Sequence, residues 1–143
     1  MGNLHHGHES LFKASSNDQY RICSIFINPL QFDDADDYNN YPQTIDKDIE
    51  ILKSHNIDYL FLPEKNDIVS AANNFNYKLP SFANTLCGKY RDLHFLGVVQ
   101  IVKTLFDIIR PSIAYFGKKD YQQLLLIKHL VNDNFNNKIE IVE

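Results

Sequence analysis

Hydrophobic and polar positions along the chain form two kinds of pattern. Nearly continuous apolar, β-branched runs predict buried strands, and apolar residues three or four positions apart predict helices. In one helix, Ile45, Ile49 and Leu52 share a face. Thr44 stands before it at the position of an N-cap, and Pro111 follows the end of the longest helix. Strands are predicted at residues 21–27, 58–62, 113–116 and 139–142, and helices at residues 9–15, 44–54, 95–109 and 120–132. Residues 64–93 are predicted to form loops, with a short helix near residues 81–86.

The alternation of strands and helices predicts an α/β fold, a Rossmann-like parallel sheet with helices on both faces and right-handed crossovers. Ligands of such sheets bind outside the carboxyl ends of the strands. Polar residues follow two of the predicted strands, with Asn28 and Gln31 after the first and residues 118–120 after the third. We therefore expect the functional site at this edge of the sheet.

Composition and charge narrow the class of protein. A chain of 143 residues, 44% hydrophobic and 22% charged, fits one globular domain. Its net charge of −4 argues against a broad nucleic-acid-binding face but allows a local cationic pocket. Cys23 and Cys87 lack metal-ligand spacing, and no secretory signal pattern or run of 18 apolar residues occurs. These features predict a cytoplasmic domain with reduced thiols that binds neither nucleic acid nor membrane.

The segment HHGH at residues 5–8 carries the first candidate chemistry. Two imidazoles three positions apart, His5 and His8, precede a predicted helix whose N-terminus favours negative charge. Gly7 between them allows a phosphate to approach the backbone. The pattern has the form of the H-x-G-H motif of nucleotidylyltransferases, in which histidines stabilise charge on an α-phosphate. The alternatives are an exposed histidine cluster and adventitious metal binding.

Two further segments carry polar groups beyond strands. In SIFINPLQF, the Asn28 turn exposes Gln31, whose amide suits a substrate that carries a carboxylate and hydroxyls; a plain turn is the alternative. In YFGKKDYQQ, a lysine can neutralise phosphate oxygens, and Asp120 can accept from ribose hydroxyls or cap the helix. Gln123 lies one turn inside that helix. The alternative for the two lysines is a solvated loop.

Together, MGNLHHGHESL, SIFINPLQF, NNYPQTIDKD, HFLGV and AYFGKKDYQQL resemble the successive motifs of the pantothenate synthetases, also called pantoate–β-alanine ligases. The resemblance covers nearly the whole chain apart from residues 64–90. It implies that ATP and pantoate form a pantoyl-adenylate with release of pyrophosphate, after which β-alanine attacks the acyl carbon and AMP leaves. It also suggests a homodimer.

The resemblance implies a role for each matching residue. The catalytic positions are His8, His5 and Lys119. The ATP-binding positions are Met1, Gly2, Leu4, His5, Gly7, His8, Gly117, Lys118, Lys119 and Asp120; those near pantoate and β-alanine are Gln31, Gln123, Asn28, Tyr41 and His94. Asp48 lies where the family places a carboxylate near the Mg²⁺ bound to ATP, and the alternative is an exposed helix carboxylate.

The chain also departs from the family pattern. Cys87-Gly88 and residues 91–95 replace the family's Glu-Gly and Arg-Pro-Gly-His-Phe, which predicts an altered loop over the site. The family's opening strand and C-terminal domain have no counterpart, so residues 1–143 are expected to form a single nucleotide-binding domain. Two other functions stay open: another small-molecule nucleotidylyltransferase, and a non-catalytic relative that keeps the fold and some ATP binding.

Overall fold

Short parallel strands alternate with helices in the structure, a computed structural model that describes residues 2–15, 20–32, 34–85 and 94–143. The helices are α1 (His6–Ala14), α2 (Ala35–Asn39), α3 (Ile45–Ser54), α4 (Lys65–Asn73), α5 (His94–Ile109) and α6 (Tyr121–Phe135). The strands are β1 (Ile22–Ser24), β2 (Tyr59–Phe61), β3 (Ile113–Tyr115) and β4 (Glu140–Val142), and short 3-10 helices lie at Pro29–Gln31, Ser81–Asn84 and Lys118–Asp120. The predicted α/β class is confirmed. None of the helices in these ranges is long and apolar enough to cross a membrane.

Two helices were not predicted. α2 has five residues and is held by the side chain of Asp34, which accepts from the amide of Asp36. α4 buries Ile68 and Ala72, one turn apart, and two of its four apolar residues are alanines, so its apolar face is weak in the sequence. Residues 65–73 are therefore helical where loops were expected.

Among the described residues, each strand pairs with the strand next to it in the sequence. β1 pairs with β2, and β3 pairs with β4, both in parallel as predicted. The single continuous sheet that the pattern predicts is divided among the described residues into these two pairs. A cavity of about 620 Å³ is lined by both β1 and β3, and the described residues show no hydrogen-bonded pairing between these two strands.

The main core lies between α5 and α6. Val99, Leu126, Ile127 and Leu130 are inaccessible to solvent there, and burial of each such side chain contributes about 1.5–3 kcal/mol. Ala114 of β3 and Ile141 of β4 pack against this core, and the turn at Lys118–Asp120 contacts α6.

Candidate active site

The two histidines of the H-x-G-H motif cap the start of α1. His5 is the N-cap, and its Nδ1 accepts from the amide of Gly7 at 3.0 Å. The amide of His5 donates to Nδ1 of His8 at 3.3 Å, which completes a capping box. The rings lie 4.1 Å apart between centroids. Because each Nδ1 is an acceptor, the neutral rings carry their proton on Nε2, which is the nitrogen available to a ligand.

This cap also explains two sequence features. α1 begins at His6, three residues before the predicted start, because the capping box satisfies its first amides. A Cβ on Gly7 would lie 2.9 Å from Cε1 of His5, so this glycine makes room for the capping ring. The glycine predicted for phosphate approach is thus already required by the cap.

His8 is the half-buried member of the pair. Burial lowers its pKa from the ordinary value, the charge of His5 lowers it further, and the charge of Lys119 acts in the same direction against the opposing effect of Asp48. His8 also lines the cavity between the strand pairs. The lowered pKa leaves His8 neutral at pH 7, with Nε2 as its hydrogen-bond donor.

Asp48 lies under the residues that lead into this cap. Its side chain is 1% exposed, so the alternative of an exposed helix carboxylate is wrong. Its Oδ1 accepts from the amide of Leu4 at 2.7 Å, and its Oδ2 accepts from the amide of Asn3 at 2.9 Å. Thr44 is the N-cap residue of α3, as predicted, but its side chain does not cap the helix. Its hydroxyl donates to Oδ1 of Asp48 at 3.2 Å.

The segment SIFINPLQF is hydrogen-bonded to α5 through Asn28. Asn28 is buried; its Oδ1 accepts from the amide of Leu30 at 2.9 Å and its Nδ2 donates to the carbonyl of Gly97 at 3.2 Å. A Cβ on Gly97 would lie 2.3 Å from the carbonyl oxygen of Leu30. Asn28 therefore both caps its turn and ties it to a helix, and a glycine inside the predicted helix was the sequence signal for this close approach.

The same turn carries Gln31 to the site. Nδ1 of His94, at the start of α5, lies 2.7 Å from the carbonyl oxygen of Gln31. Phe32, the next residue, meets the ring of Tyr41 edge to face at 5.7 Å between centroids. Burial raises the pKa of Tyr41, and the charge of Asp48 raises it further. The structure thus brings the predicted positions Asn28, Gln31, Tyr41 and His94 into one connected group.

The third segment forms a turn that opens α6. Nζ of Lys118 lies 3.4 Å from Oε2 of Glu143. The charge of the next residue, Lys119, contributes to the lowered pKa of His8. Asp120 stands at the N-cap of α6 but makes no capping bond through its side chain, so the alternative of a capping Asp120 is wrong. A Cβ on Gly117 would meet nothing within 4 Å. Packing inside the described protein therefore gives no reason for a glycine there.

Neighbouring glutamines on α6 differ in their surroundings. Nε2 of Gln122 donates to the carbonyls of Phe82 at 3.0 Å and Thr85 at 2.7 Å, an anchoring role for which the motifs carry no signal. Gln123, the predicted pantoate contact, is half-buried in the same turn. The predictions for Met1 and for the altered loop at 86–93 lie outside the described residues.

A parallel α/β fold with a histidine-capped helix at its start and a lysine-bearing turn after the third strand is typical of the nucleotidylyltransferase type. The family model described as pantoate-beta-alanine ligase matches residues 1–143. The chain belongs to this family.

Curated relatives agree with that assignment. The pantothenate synthetase of Legionella pneumophila (strain Lens) is 46% identical over 136 residues, which cover 94% of this chain and 54% of the relative. That of Neisseria meningitidis serogroup A (strain Z2491) is 42% identical over 144 residues, or 99% of this chain and 51% of the relative. The chain spans about half the length of the curated relatives it matches.

Solved structures show the same fold. The pantoate-beta-alanine ligase of Francisella tularensis, crystallised with beta-gamma ATP and beta-alanine, matches with a TM-score of 0.91 and 42% identity over 99% of this chain and 55% of that one. The pantothenate synthetase of Thermus thermophilus matches with a TM-score of 0.90 and 34% identity over 99% of this chain and 52% of that one. The Rossmann-like nucleotidylyltransferase fold predicted from the sequence is confirmed.

Proposed function

We propose that this protein takes part in the ATP-dependent joining of pantoate and β-alanine to form pantothenate. The observation that carries the proposal is the capping box, which uses Nδ1 of both His5 and His8 and leaves their Nε2 atoms as donors. In the first step, a pantoate carboxylate oxygen attacks the α-phosphorus of ATP and pyrophosphate leaves. In the second, the amine of β-alanine attacks the acyl carbon of the pantoyl-adenylate, loses a proton and expels AMP.

In the first step these residues stabilise developing charge. A carboxylate is already ionised at neutral pH and requires no base to attack phosphorus. Nε2 of His8 and His5 would donate to α-phosphate oxygens, and the Lys119 ammonium would offset the charge gained as pyrophosphate leaves. Removal of one such donor typically costs about 10²–10³-fold in rate. His8 therefore acts here as a neutral donor, which accords with its lowered pKa.

The remaining positions orient the substrates. Residues 2–4, Gly7 and the turn at residues 117–120 would hold ATP, with Asp120 toward the ribose and Gly117 leaving space for the nucleotide. Gln31 and Gln123 would bind pantoate. Asn28, Tyr41 and His94 shape that pocket, because they fix the turn that carries Gln31. Pre-positioned reactants lower the barrier by removing the need to bring them together at the moment of reaction.

Magnesium fits this proposal through the nucleotide. Mg²⁺ usually keeps several waters and binds substrate phosphates with one or two carboxylates. Within the described ranges, no group of three His, Cys, Asp or Glu side chains forms a metal site, and Asp48 is buried in bonds to the protein. We therefore propose that Mg²⁺ enters with ATP, without Asp48 as its ligand. A homodimer in the cytoplasm completes the proposal, and sedimentation of the purified protein tests the dimer.

The test is pantoate-dependent release of pyrophosphate from ATP, measured with and without β-alanine. We expect release to require pantoate, and pantothenate to form only when β-alanine is added. His8→Ala should lower the rate about 10²-fold or more. His6→Ala is the matched control, because His6 is fully exposed, pairs with Glu9 and lies outside the capping box; its rate should be unchanged.

The alternatives give different results. ATP binding without pyrophosphate release, by protein with a native circular dichroism spectrum, would indicate a non-catalytic relative. Release that depends on a phosphorylated pantetheine or a mononucleotide instead of pantoate would indicate another nucleotidylyltransferase.

A further inference from the structure

We propose that Asp48 is a positioning residue that clamps the backbone of residues 3 and 4 and so places the histidine cap of α1. This inference rests on the proposed function only for the identity of the ligand, ATP. It replaces the role of magnesium ligand that the family resemblance implies for Asp48.

The contacts of Asp48 are those of a buried clamp. Its side chain is 1% exposed and accepts one amide on each oxygen, from Leu4 and Asn3, and a hydroxyl from Thr44. The amide donors are 44 and 45 positions away in sequence, so the bonds fix a tertiary contact. A carboxylate has about four acceptor positions. Three are therefore used by the protein, and burial prevents access of a hydrated cation to the last.

The residues beside the clamp are adapted to it. Asn3 has φ of 54°, a left-handed conformation that needs local hydrogen bonds to be held. A Cβ on Gly2 would lie 3.0 Å from Oδ2 of Asp48, so glycine allows the carboxylate to approach the backbone. Leu4 is buried, and its amide donates the shorter of the two bonds.

The clamp leads directly to the proposed catalytic atoms. His5 follows Leu4, caps α1 and donates its own amide to His8. A shift of residues 3 and 4 would therefore change the entry angle of α1 and the direction of both Nε2 atoms. Asp48 thus positions the two imidazoles through the backbone that leads to them.

Asp48→Asn tests the clamp. Asparagine has one oxygen, and its NH₂ group would face an amide donor, so one of the two bonds is lost. We expect hydrogen exchange at the amides of Asn3 and Leu4, measured by NMR, to become about tenfold faster or more. Thr44→Val is the matched control, because it removes a bond to the same carboxylate and leaves both loop amides paired; exchange there should stay within about twofold of the parent.

ATP affinity separates a clamp from a metal ligand. We expect Asp48→Asn to weaken ATP binding, measured by calorimetry, by the same factor of about ten with Mg²⁺ and with EDTA. A loss confined to Mg²⁺ would show that Asp48 binds the metal and would overturn the proposal. Unchanged exchange at Asn3 and Leu4 would overturn it as well.

Two further outcomes are distinguishable. If the parent protein binds no ATP, the proposed function fails, while the amide exchange still decides the clamp. If Asp48→Asn does not fold, Gly2→Ala tests the same contact, because the added Cβ would lie 3.0 Å from Oδ2 of Asp48. Faster exchange at Asn3 and Leu4 in Gly2→Ala supports the clamp, and unchanged exchange contradicts it.

Discussion

At the scale of residues, the two histidines that cap α1 are also the proposed donors to the α-phosphate. His5 and His8 use Nδ1 to cap α1, a position where Ser, Thr or Asp with Glu or Gln is more usual. A neutral imidazole that accepts a hydrogen bond through one nitrogen can still donate through the other, which an ionised carboxylate cannot do. The cap therefore fixes the tautomer and the direction of the Nε2–H groups, as a hydrogen bond to one ring nitrogen does in many active sites.

This arrangement predicts a pH dependence of stability. Burial, with the charges of His5 and Lys119, lowers the pKa of His8 below its ordinary value of 6.5. The unfolded chain then binds more protons, so the free energy of unfolding rises with pH in this window. His8 contributes stability that is complete above pH 6.5 and is lost as the pH falls toward its folded pKa. Urea unfolding at several values between about pH 5 and 7.5 measures this slope.

His8→Gln is the control for that slope. Glutamine at the same position accepts the amide of His5 but does not titrate in this range. We expect the variant to keep α1 and to show a smaller loss of stability on acidification. An equal loss in parent and variant would assign the dependence to the other histidines.

At the scale of elements, the approach of α5 to the 3-10 helix Pro29–Gln31 positions the second half of the site. Gly97 brings the two backbones together, and Asn28 and His94 bond across the contact. Glycine inside a helix costs about 1 kcal/mol relative to alanine. That cost is accepted here because any Cβ would overlap the carbonyl of Leu30.

Two glycine substitutions separate packing from ligand binding. We expect Gly97→Ala to lower the free energy of unfolding by about 1–3 kcal/mol, because Leu30 must move with its backbone. Gly117→Ala should change stability by less than about 1 kcal/mol, because its φ of −74° suits alanine and its Cβ meets nothing. It should instead weaken ATP binding. Thermal unfolding and calorimetry measure both; equal stability of the two variants would contradict the packing argument.

At the scale of the whole molecule, two parallel strand pairs flank an apolar-lined cavity. Ile25 donates its amide to Phe61, and Phe116 donates to Val142. Amides alternate in direction along a strand, so those of Ser24 and Tyr115 point from β1 and β3 toward the cavity. The described residues supply no strand partner on those edges.

Hydrogen exchange tests this division. We expect the amides of Ser24 and Tyr115 to exchange faster than those of Ile25 and Phe116, because only the latter are in interstrand bonds. NMR or mass spectrometry with fragmentation measures the four rates. Equal protection of all four would mean that a further segment pairs with β1 and β3 and fills the cavity.

The sequence by itself determined the order of the main elements and the site motifs. Hydrophobic patterns, together with the residues that begin or end elements, predicted β1–β4, α3, α5 and α6. They could do so because strands and amphipathic helices carry their burial pattern in the local sequence. Periodicity missed α2, which has only five residues, and α4, whose apolar face is half alanine, and it carried no sign of the divided sheet. The identities of the candidate site residues came from motif resemblance, and their roles stay predictions.

Tertiary structure decided how those residues are held. Local patterns could not show that Asp48 is buried and bonds the amide of Leu4, or that Asn28 bonds Gly97. Each of these contacts joins a side chain to a partner that its own helix or turn does not dictate, and most of the partners are distant in sequence. Hydrogen bonds of this kind depend on how packed elements meet, which hydrophobic periodicity does not encode.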